Sequence, residues 1–158
     1  MGTAQAGSAL AAYDGSDPVR SRTGYAATEA GVTALSVSTG LKYAVGRARP
    51  TAELGKSSFK HFSGDDSYQS FPSRSTAVAW AAVTPFALEY NSPWLYGVAA
   101  LSNLGRVASR DHWYSDTVGG SLIGYGLGRM FWESSRTQGK GSSRVMVHPH
   151  GILVASDW

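Results

Sequence analysis

The length, composition and charge of the chain exclude several classes of protein. With 158 residues and 16.7 kDa, it has the length of one domain and can bury enough surface to fold without cross-links. It contains no cysteine, which excludes disulfides, thiolate–zinc sites and cysteine nucleophiles. The net charge of +3 is too small for a polybasic nucleic-acid surface, although it suits an anionic substrate or an anionic membrane surface.

The apolar runs are short, and the chain start lacks an export pattern. No run reaches the about 18–20 residues that cross a bilayer, and each is ended by a charged residue or a proline. The first fifteen residues have no basic region, so they do not form an intact signal peptide. We therefore expect either a cytoplasmic protein or a chain that begins after its export segment.

Helix breakers divide the chain into four predicted helices. Residues 1–23 are rich in Ala, Gly, Ser and Asp and indicate a loose lead-in. An adjustment is expected at Pro85 of the second helix. The predicted helices cover residues 25–47, 73–90, 93–108 and 112–133.

The remaining segments are a long loop and a tail. Residues 50–72 are polar, and a loop of that length inside a compact domain tends to be functional. Residues 134–158 form a predicted flexible tail, in which RVMVHPHGILVAS is compatible with a pair of strands. We predict an all-α fold, a compact helical bundle with a short non-helical C-terminal tail. Residues 1–158 then form one domain with its helical core at 24–133.

Two blocks of residues favour an anion site. Lys42 and Arg49 are seven residues apart, close to two helical turns, so a continuous helix would project both cations from nearly the same face. The block that begins at Phe71 opens the second predicted helix. There the free backbone N–H groups and the positive end of the helix dipole favour an anion, and Ser73 adds a donor.

A third block combines Arg106, His112 and Asp116. His112 and Asp116 are four residues apart, so on one helical face the carboxylate can accept a hydrogen bond from one imidazole nitrogen. The other nitrogen is then free to act as a nucleophile or base. The first and third blocks would each arise by chance about 0.01 times in a chain of this composition, so together they are a strong signal.

In order and spacing, the three blocks resemble the type 2 phosphatidic acid phosphatase superfamily, which includes bacterial class A acid phosphatases and vanadium haloperoxidases. The family pattern is KxxxxxxRP, PSGH and SRxxxxxHxxxD. Here it reads KYAVGRARP (42–50), PSRS (72–75) and GRVASRDHWYSD (105–116). The resemblance implies a metal-independent phosphatase that hydrolyses a phosphomonoester or pyrophosphate of a lipid.

The resemblance also implies a role for each matching residue. His112 is the nucleophile that forms a phosphohistidine, and Asp116 holds its tautomer. The implied phosphate ligands are Lys42, Arg49, Ser73, Arg106 and the backbone N–H of Arg74.

Three positions depart from the family pattern. Gly105 replaces a serine, which is tolerable while Arg106 is in place, and Arg74 replaces a glycine and adds a cation. Ser75 replaces the histidine that protonates the leaving oxygen and then activates water. Loss of such a group typically costs about 10²–10⁴ in rate, so we expect an impaired or inactive enzyme. Ser75 is either an engineered change or a natural loss, and the otherwise intact site favours the former.

The other polar residues have simpler interpretations. Arg47 lies off the face shared by Lys42 and Arg49 and is interpreted as a solvated charge. His61 lies in the long loop, where its spacing indicates no role. His148 and His150 have no carboxylate partner, so no metal site is predicted.

Two other functions remain open. With Ser75 in place, the chain could bind phosphorylated ligands without hydrolysing them. The second is that of a vanadate-dependent haloperoxidase, although the haloperoxidases of the family have much longer chains. No cofactor is predicted, and vanadate is expected to act as a phosphate mimic or inhibitor.

The expected partner is a phosphorylated small molecule or lipid, without nucleic acid. Contact with a membrane surface is open, and the oligomeric state is not indicated. The resemblance implies a soluble or peripheral protein of the bacterial periplasm or cell envelope, with no export segment visible in this chain.

Overall fold

The structure is a computed structural model that describes residues 17–138, 144–148 and 151–155. Its helices are α1 (Pro18–Val45), α2 (Arg74–Glu89), α3 (Trp94–Ala108) and α4 (Tyr114–Gln138). Helix α2 packs against both α1 and α4, and α3 packs on α2. The predicted helical bundle is confirmed. In the tail, β1 (Arg144–His148) pairs antiparallel with β2 (Gly151–Ala155), within the segment whose pattern indicates a pair of strands.

Helix α1 begins earlier than predicted. The lead-in was expected to extend through residue 23, but α1 starts at Pro18. The carboxylate of Asp17 accepts hydrogen bonds from the N–H groups of Val19 and Arg20, which caps the first turn. Proline at the first helical position is also favourable, because its missing N–H has no intrahelical partner there. Residues 1–16, the rest of the predicted lead-in, lie outside the described residues.

Helix α1 also ends two residues earlier than predicted. It ends at Val45, and Gly46 follows in the left-handed conformation with φ 59°. A Cβ at Gly46 would lie 1.7 Å from the carbonyl oxygen of Lys60, so only glycine fits this turn. The turn directs Arg47 and Arg49 away from the helix axis, into the loop that follows.

Helix α4 is shifted relative to its prediction. It begins at Tyr114, so His112 precedes the helix, and it continues to Gln138, five residues into the predicted tail. The carbonyl of Trp113 accepts hydrogen bonds from the N–H groups of Asp116 and Thr117, and these bonds start the first turn. Pro85 lies inside α2 without ending it.

The long loop folds back on the segment that follows α1. It contains two single-turn 3₁₀ helices, Pro50–Ala52 and Asp66–Tyr68. Backbone hydrogen bonds join Ser70 N–H to Arg47 O at 2.9 Å and Arg49 N–H to Ser67 O at 2.8 Å. These bonds hold Ser70 beside Arg47.

The centre of the bundle is built from small residues. Ala30 and Ala34 of α1 meet Ala77 and Ala81 of α2, and all four are fully buried. On α4, a Cβ at Gly124 would lie 2.2 Å from the carbonyl oxygen of Ala77. Helices α2 and α4 can therefore approach closely only because this position lacks a side chain.

Many large apolar side chains instead lie on the outside of the bundle. Within the described residues, no helix combines the length and apolar character that a membrane span needs. The outer face of α3 is nevertheless almost entirely apolar. Ala99, on the opposite face, is the buried residue of this helix. The most exposed large apolar residues on α3 and α4 are Trp94, Leu101, Leu104, Tyr114 and Leu122.

The contact at Gly124 generates a stability prediction. We expect Gly124→Ala to lower the free energy of unfolding by about 1–3 kcal/mol, because the added methyl overlaps the α2 backbone. Gly126 is the matched control on the same helix, since a Cβ there meets nothing within 4 Å. Gly126→Ala should raise stability by roughly 0.5–1 kcal/mol through helix propensity. Thermal and urea unfolding followed by circular dichroism measure both, and equal effects would contradict the proposed close packing.

Candidate active site

The carboxylate of Asp116 lies at the centre of the candidate site. Asp116 is in the first turn of α4 and is fully buried. Its Oδ1 accepts a hydrogen bond from Arg47 Nη1 at 2.6 Å. Its Oδ2 accepts from the Ser70 hydroxyl at 2.5 Å and from the Trp113 N–H at 2.9 Å. A buried carboxylate needs such donors, and here they come from three separate parts of the chain.

His112 is oriented by a backbone carbonyl. Its Nδ1 lies 2.7 Å from Ser70 O, and because a carbonyl can only accept, Nδ1 carries the proton. In the neutral ring, Nε2 then holds the free lone pair. The Nδ1–Oδ2 distance to Asp116 is 3.9 Å, too long for a hydrogen bond. The predicted direct hydrogen bond between these residues is wrong, because His112 precedes α4 and Ser70 supplies the nearer acceptor.

His112 is held in its neutral form. Burial is the main cause that lowers its pKa to about 4, and the positive charge of Lys42 adds to the effect. The Ser70 carbonyl and the Asp116 carboxylate act in the opposite direction without reversing it. At neutral pH the ring is therefore uncharged, as a nucleophilic imidazole must be.

Lys42 shares the Ser70 carbonyl with His112. It lies in the last turn of α1, is buried, and donates from Nζ to the carbonyls of Gln69 and, at 3.3 Å, Ser70. Burial is the first cause that lowers its pKa to about 8, followed by the charges of Arg49 and Arg74. Lys42 is thus a cation close to both His112 and the other basic side chains.

Arg49 reaches the same region by a different route from the one expected. It lies beyond the end of α1, so the prediction that it shares a helix face with Lys42 is wrong, because the chain turns at Gly46. Its Nε and Nη2 donate to the backbone carbonyl and Oδ1 of Asp66 at 2.9 and 3.0 Å. Its charge still lowers the pKa values of Lys42 and His112, which indicates that the three groups are close.

The start of α2 lies against the backbone of Asp116. Ser73 precedes the helix, and its N–H donates to the backbone carbonyl of Asp116 at 2.9 Å. The Ser73 hydroxyl is buried and lies 3.0 Å from Thr76 Oγ1. Arg74 and Ser75 follow in the first turn, each half-buried. Among the described residues, the buried Nε of Arg74 has no hydrogen-bond partner.

Arg106 is engaged by a neighbouring carboxylate. Its Nη1 lies 3.2 Å from Asp111 Oδ2, and its side chain is 42% exposed. Its backbone carbonyl accepts the N–H of His112 at 3.3 Å. The structure therefore brings together Lys42, Arg49, Arg74, His112 and Asp116, whereas the Arg106 guanidinium is turned towards Asp111.

Sequence reasoning missed two residues at this site. Arg47 is not a solvated charge: its side chain is 13% exposed and is paired with Asp116. Its position inside the first block, directly after Gly46, was a usable signal. Ser70 had no such signal, because its contribution includes a backbone carbonyl that any residue possesses.

The remaining histidines do not form a metal centre among the described residues. No group of three His, Cys, Asp or Glu side chains there could hold a metal ion. His61 Nδ1 lies 3.3 Å from Ala44 O, and its ring stacks on Phe59. The side chain of His148 and the whole of His150 lie outside the described residues.

Comparisons with known proteins identify the family of the chain. The sequence model of the PAP2 superfamily matches residues 24–140, and the chain therefore belongs to the PAP2 superfamily. The resemblance stated from the three sequence blocks is thereby confirmed. A lipid A 1-phosphatase of Porphyromonas gingivalis is 34% identical over 100 residues, which cover 59% of this chain and 20% of that protein. The chain thus spans about one fifth of that relative's length, and no solved structure matches it.

The burial of His112 generates a pH prediction. We expect its imidazole to titrate near pH 4 instead of near 6.5, as followed by NMR of histidine-labelled protein. Between those values the unfolded chain binds more protons than the folded one, so the free energy of unfolding should fall as pH is lowered from 6.5 to 4. Lys42→Met removes a neighbouring cation and should raise the pKa of His112. Titration near 6.5 in the unchanged protein would contradict the burial argument.

Proposed function

We propose that this chain carries a phosphatase active site, which hydrolyses a phosphomonoester or pyrophosphate of a lipid through a phosphohistidine at His112. One observation carries the proposal. His112 is buried and neutral, and its Nδ1 proton is directed to the Ser70 carbonyl, which leaves the Nε2 lone pair available beside a group of cations. Membership of the PAP2 superfamily and the lipid A 1-phosphatase among its relatives support the same chemistry.

The cations supply the binding energy for the phosphate. Lys42, Arg49 and Arg74 interact electrostatically, and Arg74 Nε is a donor without a partner among the described residues. An incoming phosphate satisfies this donor and meets the first-turn N–H groups of α2. Arg106 joins them when its guanidinium exchanges Asp111 for the phosphate. No metal ion takes part in the proposed reaction.

The reaction proceeds in two displacements. In the first, Nε2 of His112 forms a bond to phosphorus while the bond from phosphorus to the leaving oxygen breaks, and that oxygen takes a proton from the acid at position 75 or, with Ser75 there, from solvent water. In the second, a water molecule loses a proton to the same group or to solvent and attacks phosphorus, the P–N bond breaks with its electrons returning to Nε2, and phosphate is released. Ser75 stands where the family pattern has the histidine that handles both protons. A serine hydroxyl is a poor proton donor near neutrality, so we expect the chain to be impaired or inactive.

The more specific part of the proposal is that the phosphorylated substrate is a lipid. Its support is that the relative is a lipid A 1-phosphatase, together with the large apolar side chains on the outer faces of α3 and α4. Such a surface suits contact with lipid, and we propose peripheral membrane contact. A substrate of this class is consistent with the bacterial cell envelope, including the periplasm, as the location.

Binding without turnover is the second candidate function, and Ser75 favours it. The cations and His112 remain in place while the proton donor is missing, so a phosphorylated ligand would bind and persist. We expect vanadate to occupy the same position as a phosphate mimic and inhibitor. Peroxidase activity that depends on added vanadate would instead indicate the haloperoxidase alternative.

Restoring the missing acid tests the mechanism. We expect Ser75→His to raise the rate of phosphate release from p-nitrophenyl phosphate and phosphatidic acid by about 10²–10⁴, without added metal. Adding His112→Ala to that variant should abolish the gain. Acid-labile phosphate on the protein after a rapid quench should appear in Ser75→His only while His112 is present. No gain in turnover, combined with tight phosphate binding by the unchanged protein, would favour the binding function.

The lowered pKa of Lys42 predicts how anion binding depends on pH. Lys42 loses its charge as the pH rises through about 8, so affinity for phosphate should weaken above that value. Lys42→Arg is the matched control, because arginine keeps its charge throughout this range and experiences the same titration of the ligand. Isothermal calorimetry between pH 7 and pH 9.5 measures both. Parallel curves for the two proteins would contradict a phosphate contact at Lys42.

A further inference from the structure

Arg47 is the most completely engaged side chain of the site, and neither the sequence pattern nor the proposed reaction assigns it a role. Its Nη1 contacts Asp116 Oδ1 at 2.6 Å and Ser115 Oγ at 2.7 Å, and its Nε donates to Lys56 O at 3.0 Å. Its guanidinium also lies over the Trp113 ring, 5.8 Å from the ring centroid. A side chain held by this many contacts has one orientation, so it fixes the position of the carboxylate that it binds.

Asp116 makes no direct hydrogen bond to His112 and is linked to it through other hydrogen-bonded groups. Oδ1 is taken by Arg47, and Oδ2 by the Ser70 hydroxyl and the Trp113 N–H. No short contact remains for the imidazole, whose Nδ1 is 3.9 Å away. The two residues that hold Oδ2 are the ones that place His112: the Ser70 carbonyl accepts a hydrogen bond from its Nδ1–H, and Trp113 is its neighbour in the chain.

We propose that Arg47 and Ser70 are positioning residues of the His112 site. Arg47 holds the Asp116 carboxylate away from the imidazole and neutralises its charge. Ser70 joins the two groups, with its hydroxyl on Asp116 and its carbonyl on His112. The Ser70 carbonyl keeps the proton on Nδ1 and the lone pair on Nε2, while Arg47 keeps the carboxylate from acting more strongly on the ring. The proposal rests on the proposed function for its catalytic consequence, whereas the positioning itself is a property of the folded chain.

The charges that face His112 set the direction of the expected change. They are Lys42 and Arg49 from the end of α1 and the following loop, and Asp116 from α4, while Arg74 of α2 acts on Lys42. In Arg47→Ala, the Asp116 carboxylate loses its paired cation and becomes free to approach Nδ1. A carboxylate that is both closer and unpaired favours the imidazolium, so the pKa of His112 should rise.

The experiment measures the His112 ring directly, so it does not depend on turnover. Long-range ¹H–¹⁵N NMR of histidine-labelled protein gives the tautomer and the pKa, and the resonance that His112→Asn removes provides the assignment. We expect the Nδ1-protonated neutral form in the unchanged protein. In Arg47→Ala, the pKa of His112 should rise by about one pH unit or more, with a shifted Nδ1 proton resonance. Arg47→Lys, which keeps the charge, should restore most of the original behaviour.

Arg22 provides the matched control for a merely structural effect. Its Nη2 pairs with Glu89 at 2.9 Å, between α1 and α2, so Arg22→Ala also breaks an ion pair between two segments of the bundle. We expect Arg22→Ala to lower the melting temperature without moving the pKa of His112. A folded Arg47→Ala protein with an unchanged His112 pKa and tautomer would overturn the proposal. Equal shifts in Arg47→Ala and Arg22→Ala would overturn it as well.

Ser70→Ala keeps the test decisive if Arg47→Ala does not fold. It removes only the hydroxyl that binds Asp116 and leaves the carbonyl that binds His112. We expect the pKa of His112 to rise, and in the Ser75→His background we expect kcat to fall about tenfold while KM changes by less than about twofold. A normal His112 resonance and an unchanged kcat would overturn the role of Ser70. A shifted resonance in a background that never turns over would sustain the positioning and reject the proposed function.

Discussion

The carboxylate of Asp116, removed completely from water, is the constraint on which the site depends. Such a group is unstable in a protein interior unless charged and polar donors replace its hydration. The donors are Arg47 from the segment after α1, Ser70 from the end of the long loop, and the N–H of Trp113 before α4. By satisfying one carboxylate, the fold joins three segments that are distant in sequence, and it places His112 where they meet.

Close packing of small residues makes this arrangement available. Gly124 of α4 lies against the backbone of Ala77 and Ala81, so α2 and α4 approach closely. The same approach allows the Ser73 N–H to reach the backbone carbonyl of Asp116 at 2.9 Å. The large apolar side chains that such a core cannot hold lie on the outside, mostly on α1, α3 and α4. A helical bundle of this kind is therefore tight at its centre and apolar at its surface.

Local sequence signals predicted much of the fold but misplaced its ends. The second and third predicted helices, 73–90 and 93–108, agree with α2 and α3 to within one residue at each end. The start of α1 was missed although Asp17 and Pro18 form an ordinary helix start, because the surrounding composition suggested a loose segment. The end of α1 depended on Gly46, where any side chain would overlap the backbone carbonyl of Lys60 in a distant part of the loop. Such a contact leaves no periodic pattern in the sequence.

The sequence by itself determined the family, the helical bundle and the chemical types gathered at the site, because residue spacing and helix periodicity are local properties. The tertiary structure alone decided how those types are connected. It separated His112 from Asp116 by 3.9 Å, directed the Nδ1–H of His112 to the Ser70 carbonyl, turned Arg106 towards Asp111 and paired Arg47 with the buried carboxylate. The physical reason is that an unpaired donor or acceptor is costly when it is buried, and the nearest available partner in space is set by the packing of whole segments.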